Sequence, residues 1–272
     1  SAIDIEQLAY LICRGGWPMA SMMANKKSAL KQAVIYYNGI VGKDDGSGSD
    51  ISRADGVRRN PERVKRLMRS LSRQQGTQAS LTTILEDIKV NDELAINEET
   101  ISSYIMALKK IFVVEDMPAW NPSLRSKTAI RTSDTRYFVD PSVAVAALRL
   151  GPQDLINDLE TCGLLFETLA VRDLRVYADA LDGSVYHYRD RNGLECDAVI
   201  HLRNGHYGLV EIKLGGEKLI EEGAKSLLKL EKKIDTDKMY APSFKMVLTA
   251  VGNMAYRRKD GVFVVPIGCL KH

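Results

Sequence analysis

Two short runs of alternating apolar and polar residues, Leu194–Leu202 and Tyr207–Leu214, flank a break at Arg203-Asn204-Gly205. A period of two on both sides of an Asn-Gly break predicts a β-hairpin. Side chains alternate between faces along a strand, so Glu211 and Lys213 share one face while Val210, Ile212 and Leu214 fill the other. The turn decides whether Asp197 joins the polar pair. A two-residue Asn204-Gly205 turn sets Asp197 opposite Ile212. A three-residue loop with Gly205 left-handed pairs Leu202 with His206 and sets Asp197 opposite Glu211. Both turns suit these residues. We adopt the three-residue register, because the other would press polar groups against the apolar layer, where burial is costly.

Elsewhere the spacing is helical. Helices are predicted over Ile3–Arg14, stopped by Gly15-Gly16-Trp17-Pro18, over Ser28–Val41, and over Glu62–Arg73 behind Pro61. Lys43–Ser52 is rich in Gly, Ser and Asp and predicts a loop or helix break. Helices Leu81–Ile88 and Asn97–Ile111, a strand Phe112–Met117, a polar wing Pro118–Ile130 and a returning strand Arg136–Asp140 have the order of a winged helix. A helix Pro141–Leu150 then ends at Gly151-Pro152, the predicted linker. Beyond it come a helix Asp154–Val176 carrying Glu167, the hairpin, a crossover helix Lys218–Ile234 and strands Lys245–Val251 and Val262–Ile267. The expected architecture is α/β in three parts: a helical segment over 1–78, a winged helix over 79–150 and an α/β domain over 151–272.

Composition changes this picture little. A chain of 272 residues with 27% charged side chains is ordinary for a globular protein long enough to bury two cores. The formal charge of +3 leaves nucleic acid open, since a local basic face matters more than the sum. Two such faces stand out. One is the outer side of helix 62–73 with its flank: Arg58, Arg59, Arg63, Lys65, Arg66, Arg69 and Arg73. It is either solvated or a nucleic-acid or partner contact. The other is the wing, where Arg125, Lys127, Arg131 and Arg136 are the candidate nucleic-acid contacts. A winged helix serves equally as a protein-docking module. No apolar run approaches membrane length, and no signal-peptide pattern opens the chain. The cysteines Cys13, Cys162, Cys196 and Cys269 form no CxxC pair, which points to reduced thiols in a cytoplasmic protein.

Two facing carboxylates can hold a hard divalent cation, Mg²⁺ or Mn²⁺, through oxygen. A lysine reaching the same cleft can orient a water or steady charge on a phosphate oxygen. Asp197, thirteen intervening residues, and then Glu211-Ile212-Lys213 resemble the D…(D/E)xK core of the restriction-endonuclease-like PD-(D/E)XK superfamily. The helix GLLFETLAVR, Gly163–Arg172, supplies Glu167 in the place of that superfamily's frequent helical glutamate. Cys196 stands where the superfamily's nominal proline would precede the aspartate. More narrowly, GLLFETLAVRDL, YHYRDRNGLECDAVI and VEIKLG, together with RGGWP near the start, are similar to an uncharacterised C-terminal domain of bacterial and archaeal AAA-type ATPases.

That resemblance implies a restriction-endonuclease-like C-terminal domain. Asp197, Glu211 and Lys213 would be catalytic, and Asp197, Glu211 and Glu167 would hold Mg²⁺ or Mn²⁺ for DNA phosphodiester hydrolysis. It also implies an AAA-type ATPase module as partner, in the same parent chain. No GxxxxGK(S/T) string occurs, so that module would precede Ser1 or have been lost. The alternative is a non-catalytic DNA- or protein-binding module that regulates the ATPase.

Overall fold

The structure, a computed structural model, describes residues 3–43, 48–89, 96–122 and 133–270. The chain divides into two compact units: Ala9–Asp116 with Arg136–Thr168, and Ser1–Leu8 with Met117–Thr135 and Leu169–His272.

The helical unit is organised around α8 (Pro141–Leu148), whose residues are nearly all buried. α3 (Lys26–Val41) and α5 (Pro61–Arg73) both pack on it. α5 starts where the Asn60 side chain accepts from the Arg63 N–H and proline takes the first turn, and it buries Val64, Leu67, Met68 and Leu71. The stop at Gly15-Gly16-Trp17-Pro18 after α1 (Ile5–Arg14) is also a docking device. The Gly16 N–H donates to Asp140 Oδ2 and Trp17 Nε1 donates to Ser142 Oγ, both at 2.8 Å. Gly15 has φ +74°, and a Cβ there would stand 2.4 Å from Ser142 Oγ, so only glycine admits the α8 cap this closely. α2 (Pro18–Met22) follows directly.

Several details differ from the sequence expectation. The predicted loop Lys43–Ser52 gives way to α4 (Asp50–Arg53), and residues 44–47 lie outside the described ones. Arg59 does not belong to the basic face: it is 2% exposed, its guanidinium forks onto Asp55 at 2.7 Å and donates to Ile51 O, and it lies over the Tyr104 ring. α6 (Leu81–Lys89), α7 (Glu98–Lys110) and the paired strands β1 (Val114–Met117) and β2 (Thr135–Phe138) follow in the predicted order. The wing residues Arg125, Lys127 and Arg131 lie outside the described residues. The predicted helix Asp154–Val176 is two helices, α9 (Pro152–Asn157) and α10 (Leu159–Ala180). Asp158 leaves helical dihedrals, and its carboxylate accepts from the Thr161 N–H at 3.1 Å and hydroxyl at 2.6 Å, restarting the chain as a new helix.

The second unit is built on a six-stranded mixed sheet of order β3-β4-β5-β6-β8-β7: β3 (Gly183–Arg189), β4 (Glu195–Leu202), β5 (Tyr207–Lys213), β6 (Phe244–Thr249), β7 (Tyr256–Arg257) and β8 (Phe263–Pro266). β3, absent from the sequence expectation, pairs antiparallel with β4. β5, β6 and β8 run parallel, and α11 (Glu217–Glu231) makes the crossover from β5 to β6. Its apolar stripe, Ala224, Leu227 and Leu230, packs with Val199, Leu209 and Val247 in one core.

The hairpin adopts the three-residue loop. Leu202 N–H donates to His206 O at 2.9 Å, Gly205 N–H donates to Leu202 O at 3.0 Å, and Gly205 has φ +87°. Val199 faces Leu209 and Ala198 faces Val210, so the register carries Asp197 toward Glu211. A second irregularity was not foreseen. Tyr186 pairs with Val199 but Tyr188 with Cys196, so β4 holds one extra residue, a bulge at Asp197-Ala198.

These placements separate two costs. Leu209→Ala, at a position with no exposure, should destabilise by about 2–5 kcal/mol. Gly205→Ala at the half-buried turn should cost about 1–2 kcal/mol, chiefly through its left-handed backbone. Urea unfolding of both variants checks the order, and equal losses would place the turn, rather than the α11 core, as the anchor of the hairpin.

Candidate active site

Past Ala198 the pairing of β4 with β5 stops at the bulge. The next donor on β5, the Ile212 N–H, is taken instead by the Asp197 carboxylate, with Oδ2 accepting at 2.7 Å. The bulge thereby turns Asp197 from a strand-face residue into a cap on the neighbouring strand. Lys213 Nζ reaches the same Oδ2 at 3.2 Å and Glu211 Oε2 at 2.8 Å. One ammonium thus bridges carboxylates from two adjacent strands.

The cluster is graded in exposure. Glu211 is 4% exposed, under α11, while the Asp197 and Lys213 side chains keep 17% and 26% of theirs. Small residues on α11 make room. A Cβ at Gly223 would lie 3.3 Å from that of Glu211, and the Ser226 hydroxyl, which donates to Glu195 O at 3.1 Å, weakly favours the Glu211 charge. Ser226 was missed at the sequence level. Its signal is a polar residue one position from the apolar stripe of a crossover helix, which is too common to single out. Cys196, at the position of the nominal proline, faces inward and donates its thiol to Ala198 O and Val210 O, each at 3.4 Å. Burial, then the Glu211 and Asp197 charges, push that thiol well above its ordinary range, so it is an inert packing group.

Electrostatics follow from this geometry. Burial opposes the charge of Lys213, yet Asp197 and Glu211 together hold it protonated beyond lysine's usual range. Burial raises the Glu211 carboxyl to about 8, and the Asp197 charge adds to this against the pull of Lys213. The physical sense is simple. With Asp197 ionised and Lys213 protonated the pair is neutral, and a second buried anion leaves the pocket with an excess negative charge.

Glu167 is placed differently. It lies on α10 within the helical unit, where its Oε1 accepts from Tyr137 Oη at 2.7 Å and stands 2.4 Å from where a Cβ of Gly76 would be. Among the described residues no group of three or more His, Cys, Asp and Glu side chains is arranged to hold a metal ion. Within the sheet unit the structure brings together Asp197, Glu211 and Lys213, and within the helical unit Glu167 accepts from Tyr137. Arg136, on β2, places its guanidinium Nε 3.3 Å from Asp116.

A family model described as a domain of unknown function (DUF8612) matches residues 5–154, more than half of the chain. The chain belongs to the DUF8612 family. In this DUF8612 protein a second model, also a domain of unknown function (DUF4143), matches residues 162–270, the segment that carries β3–β8 and the charged cluster. DUF4143 domains are found with AAA-type ATPases. No curated protein and no solved structure matches the chain. No helix among the described residues is long and apolar enough to cross a membrane.

The buried carboxyl gives the DUF8612 chain a pH signature. A carboxyl whose folded pKa lies above its ordinary 4.5 binds its proton more tightly when folded. Its contribution is full below 4.5 and is lost as pH rises through about 8. Unfolding free energy should thus fall between those values, and Glu211→Gln should flatten the fall, ending more stable than the parent at high pH. Denaturant titrations at a series of pH values read this directly, and a parallel decline in both proteins would show that Glu211 is ionised throughout.

Proposed function

We propose that the Asp197–Glu211–Lys213 cluster is the site of divalent-cation-dependent phosphodiester hydrolysis, with DNA as substrate. The observation that carries this reading is the single ammonium bridging two carboxylates from neighbouring strands, at a bulge where the sheet ladder ends. The donor set fits Mg²⁺ or Mn²⁺: two hard carboxylates already close enough to share one cation, with Asp197 and Lys213 partly exposed. Mg²⁺ is commonly held by one or two protein carboxylates and retains several waters. Asp197 and Glu211 would hold it, and when bound it would supply a Lewis acid and a water of lowered pKa.

The protein's own groups account for the rest. The Ile212 N–H fixes the Asp197 carboxylate in place, so its orientation does not depend on the cation. Lys213, whose side chain keeps 26% of its exposure beside Asp197, would present its ammonium to a non-bridging phosphate oxygen. Water forms the new P–O bond and releases a proton to solvent, the ester P–O bond breaks, and the leaving alkoxide takes a proton from solvent to leave as the alcohol. The burial of Glu211 under α11 keeps bulk water from one side of the cluster.

A second reading rests on a different observation. DUF4143 domains accompany AAA-type ATPases, and the described residues offer two carboxylates rather than a group of three. On that reading the Lys213 bridge is a structural ion-pair triad, and the chain is a DNA- or protein-binding module regulating the ATPase.

Mn²⁺ or Mg²⁺ should raise the melting temperature slightly, by binding the folded state. Asp197→Asn and Glu211→Gln should each abolish the rise, Glu211→Gln without lowering metal-free stability at neutral pH. Cleavage of supercoiled DNA should vanish in both, and fall by at least about 100-fold in Lys213→Ala. A melting curve blind to both metals at millimolar concentration, together with no cleavage, would leave the second reading standing.

A further inference from the structure

Away from the charged cluster, the helical unit carries a groove along the outer side of α5. Its residues Glu62, Lys65, Arg66, Arg69 and Arg73 recur at three- and four-residue intervals and so form one stripe opposite the buried Val64, Leu67, Met68 and Leu71. Packing of α5 and α3 against α8 sets Tyr37 and Arg149 beside this stripe. Together they line a cleft of about 180 Å³, and a neighbouring one of about 340 Å³ shares Arg66 and Arg69 and continues past Arg73 to Asp87.

The charge balance is one-sided. Glu62 pairs with Lys65 at 2.6 Å and Asp87 with Arg73 at 2.6 Å, which accounts for both carboxylates lining the two clefts. Among the described residues, Arg69 and Arg149 make no ion pair, and both are exposed. Burial pushes the Tyr37 hydroxyl up while Lys65, Arg149 and Arg69 pull it back, so all three cations act on one point at the cleft wall. Arg149 is held there by an unusual backbone. It caps α8 in the left-handed region at φ +60°, where glycine or asparagine is the relaxed choice. In a chain with a net charge of only +3, α5 alone carries five cations against one carboxylate.

We propose that this groove binds the sugar-phosphate backbone of nucleic acid, with Arg69 and Arg149 as its principal phosphate contacts. Guanidinium groups fork onto phosphate oxygens. The stripe from Lys65 to Arg73 runs roughly 12 Å along the helix, longer than one phosphate and suited to several successive ones. The lining favours this occupant over a protein. Of the ten side chains that line the two clefts five are cationic and three, Tyr37, Ala147 and Ile88, are apolar or aromatic, whereas protein interfaces centre on buried apolar or aromatic anchors and are depleted of charge there. The groove is independent of the hydrolysis proposed above, and its test is run in metal-free buffer so that absent cleavage has no bearing on it.

Fluorescence anisotropy with labelled duplex and single-stranded oligonucleotides across a salt series tests the proposal on the whole chain. The parent should bind, and the Arg69→Ala/Arg149→Ala pair should lose about 10-fold or more in affinity. The slope of log affinity against log salt should also fall by roughly 2. Lys225→Ala on α11 should leave both quantities unchanged. Arg149→Gly keeps the test clear of misfolding: it should raise the melting temperature by relaxing the backbone while weakening binding, and a purely structural role would move both the same way. Inorganic phosphate or a mononucleotide competing as well as the oligonucleotide would make the site one for free phosphate and overturn the proposal. So would poly-glutamate displacing the oligonucleotide at equal charge concentration, or a double variant with unchanged affinity and slope.

Discussion

One interaction holds the sheet unit's chemistry in place: the Asp197 carboxylate accepting the Ile212 N–H at 2.7 Å, where β4 bulges out of register. A backbone donor inside a sheet must have a partner. When the bulge withdraws β4's own backbone, the carboxylate replaces it, and a charged acceptor makes a stronger bond than a neutral one. The price of that substitution is an anion beside Glu211. Lys213 then neutralises the pair, and the small residues Gly223 and Ser226 on α11 leave space for a carboxylate in an otherwise apolar layer.

Such a cluster is poor value as structure alone. Removing one partner of a buried ion pair typically costs about 3–5 kcal/mol, yet replacing the whole set by packed apolar groups is often neutral or stabilising. Asp197 and Lys213 are partly exposed, and one ammonium lies within 3.2 Å of both carboxylates. Coupled titratable groups partly open to solvent are what a site for a cation and an anionic substrate requires. A cation entering between the carboxylates would take over Lys213's role, and would favour the ionised Glu211 that burial resists.

The helical unit shows a different use of charge. Arg59, drawn into the interior by Asp55, Ile51 O and Tyr104, ties the segment before α5 to its neighbours. Arg69 and Arg149, outside, have no such partners among the described residues. Arginines that look alike in sequence therefore divide into scaffold and surface according to what the packing places beside them.

The hairpin and the candidates Asp197, Glu211 and Lys213 were legible in the sequence, because they depend on local rules, whereas both turns suited the residues and only the structure chose the three-residue loop. Alternation of period two assigns faces, Arg203-Asn204-Gly205 admits a left-handed glycine, and a D…ExK spacing across a three-residue loop can bring carboxylates together. The helices over 62–73 and 97–111 were legible for the same reason, as period and caps lie within one turn of the chain. The break at Asp158 was not, since a side-chain acceptor won over continued helix by a margin no pattern displays. Nor was the bulge, which exists only as a mismatch between two strands, one of which was unforeseen. Placement of Glu167 with Tyr137, the burial of Arg59 and the left-handed Arg149 likewise come from residues distant in sequence meeting in space. Periodicity tells which way a side chain faces. Only the packed structure decides what it meets, because partners, burial and the resulting shifts in charge are properties of contacts rather than of the chain.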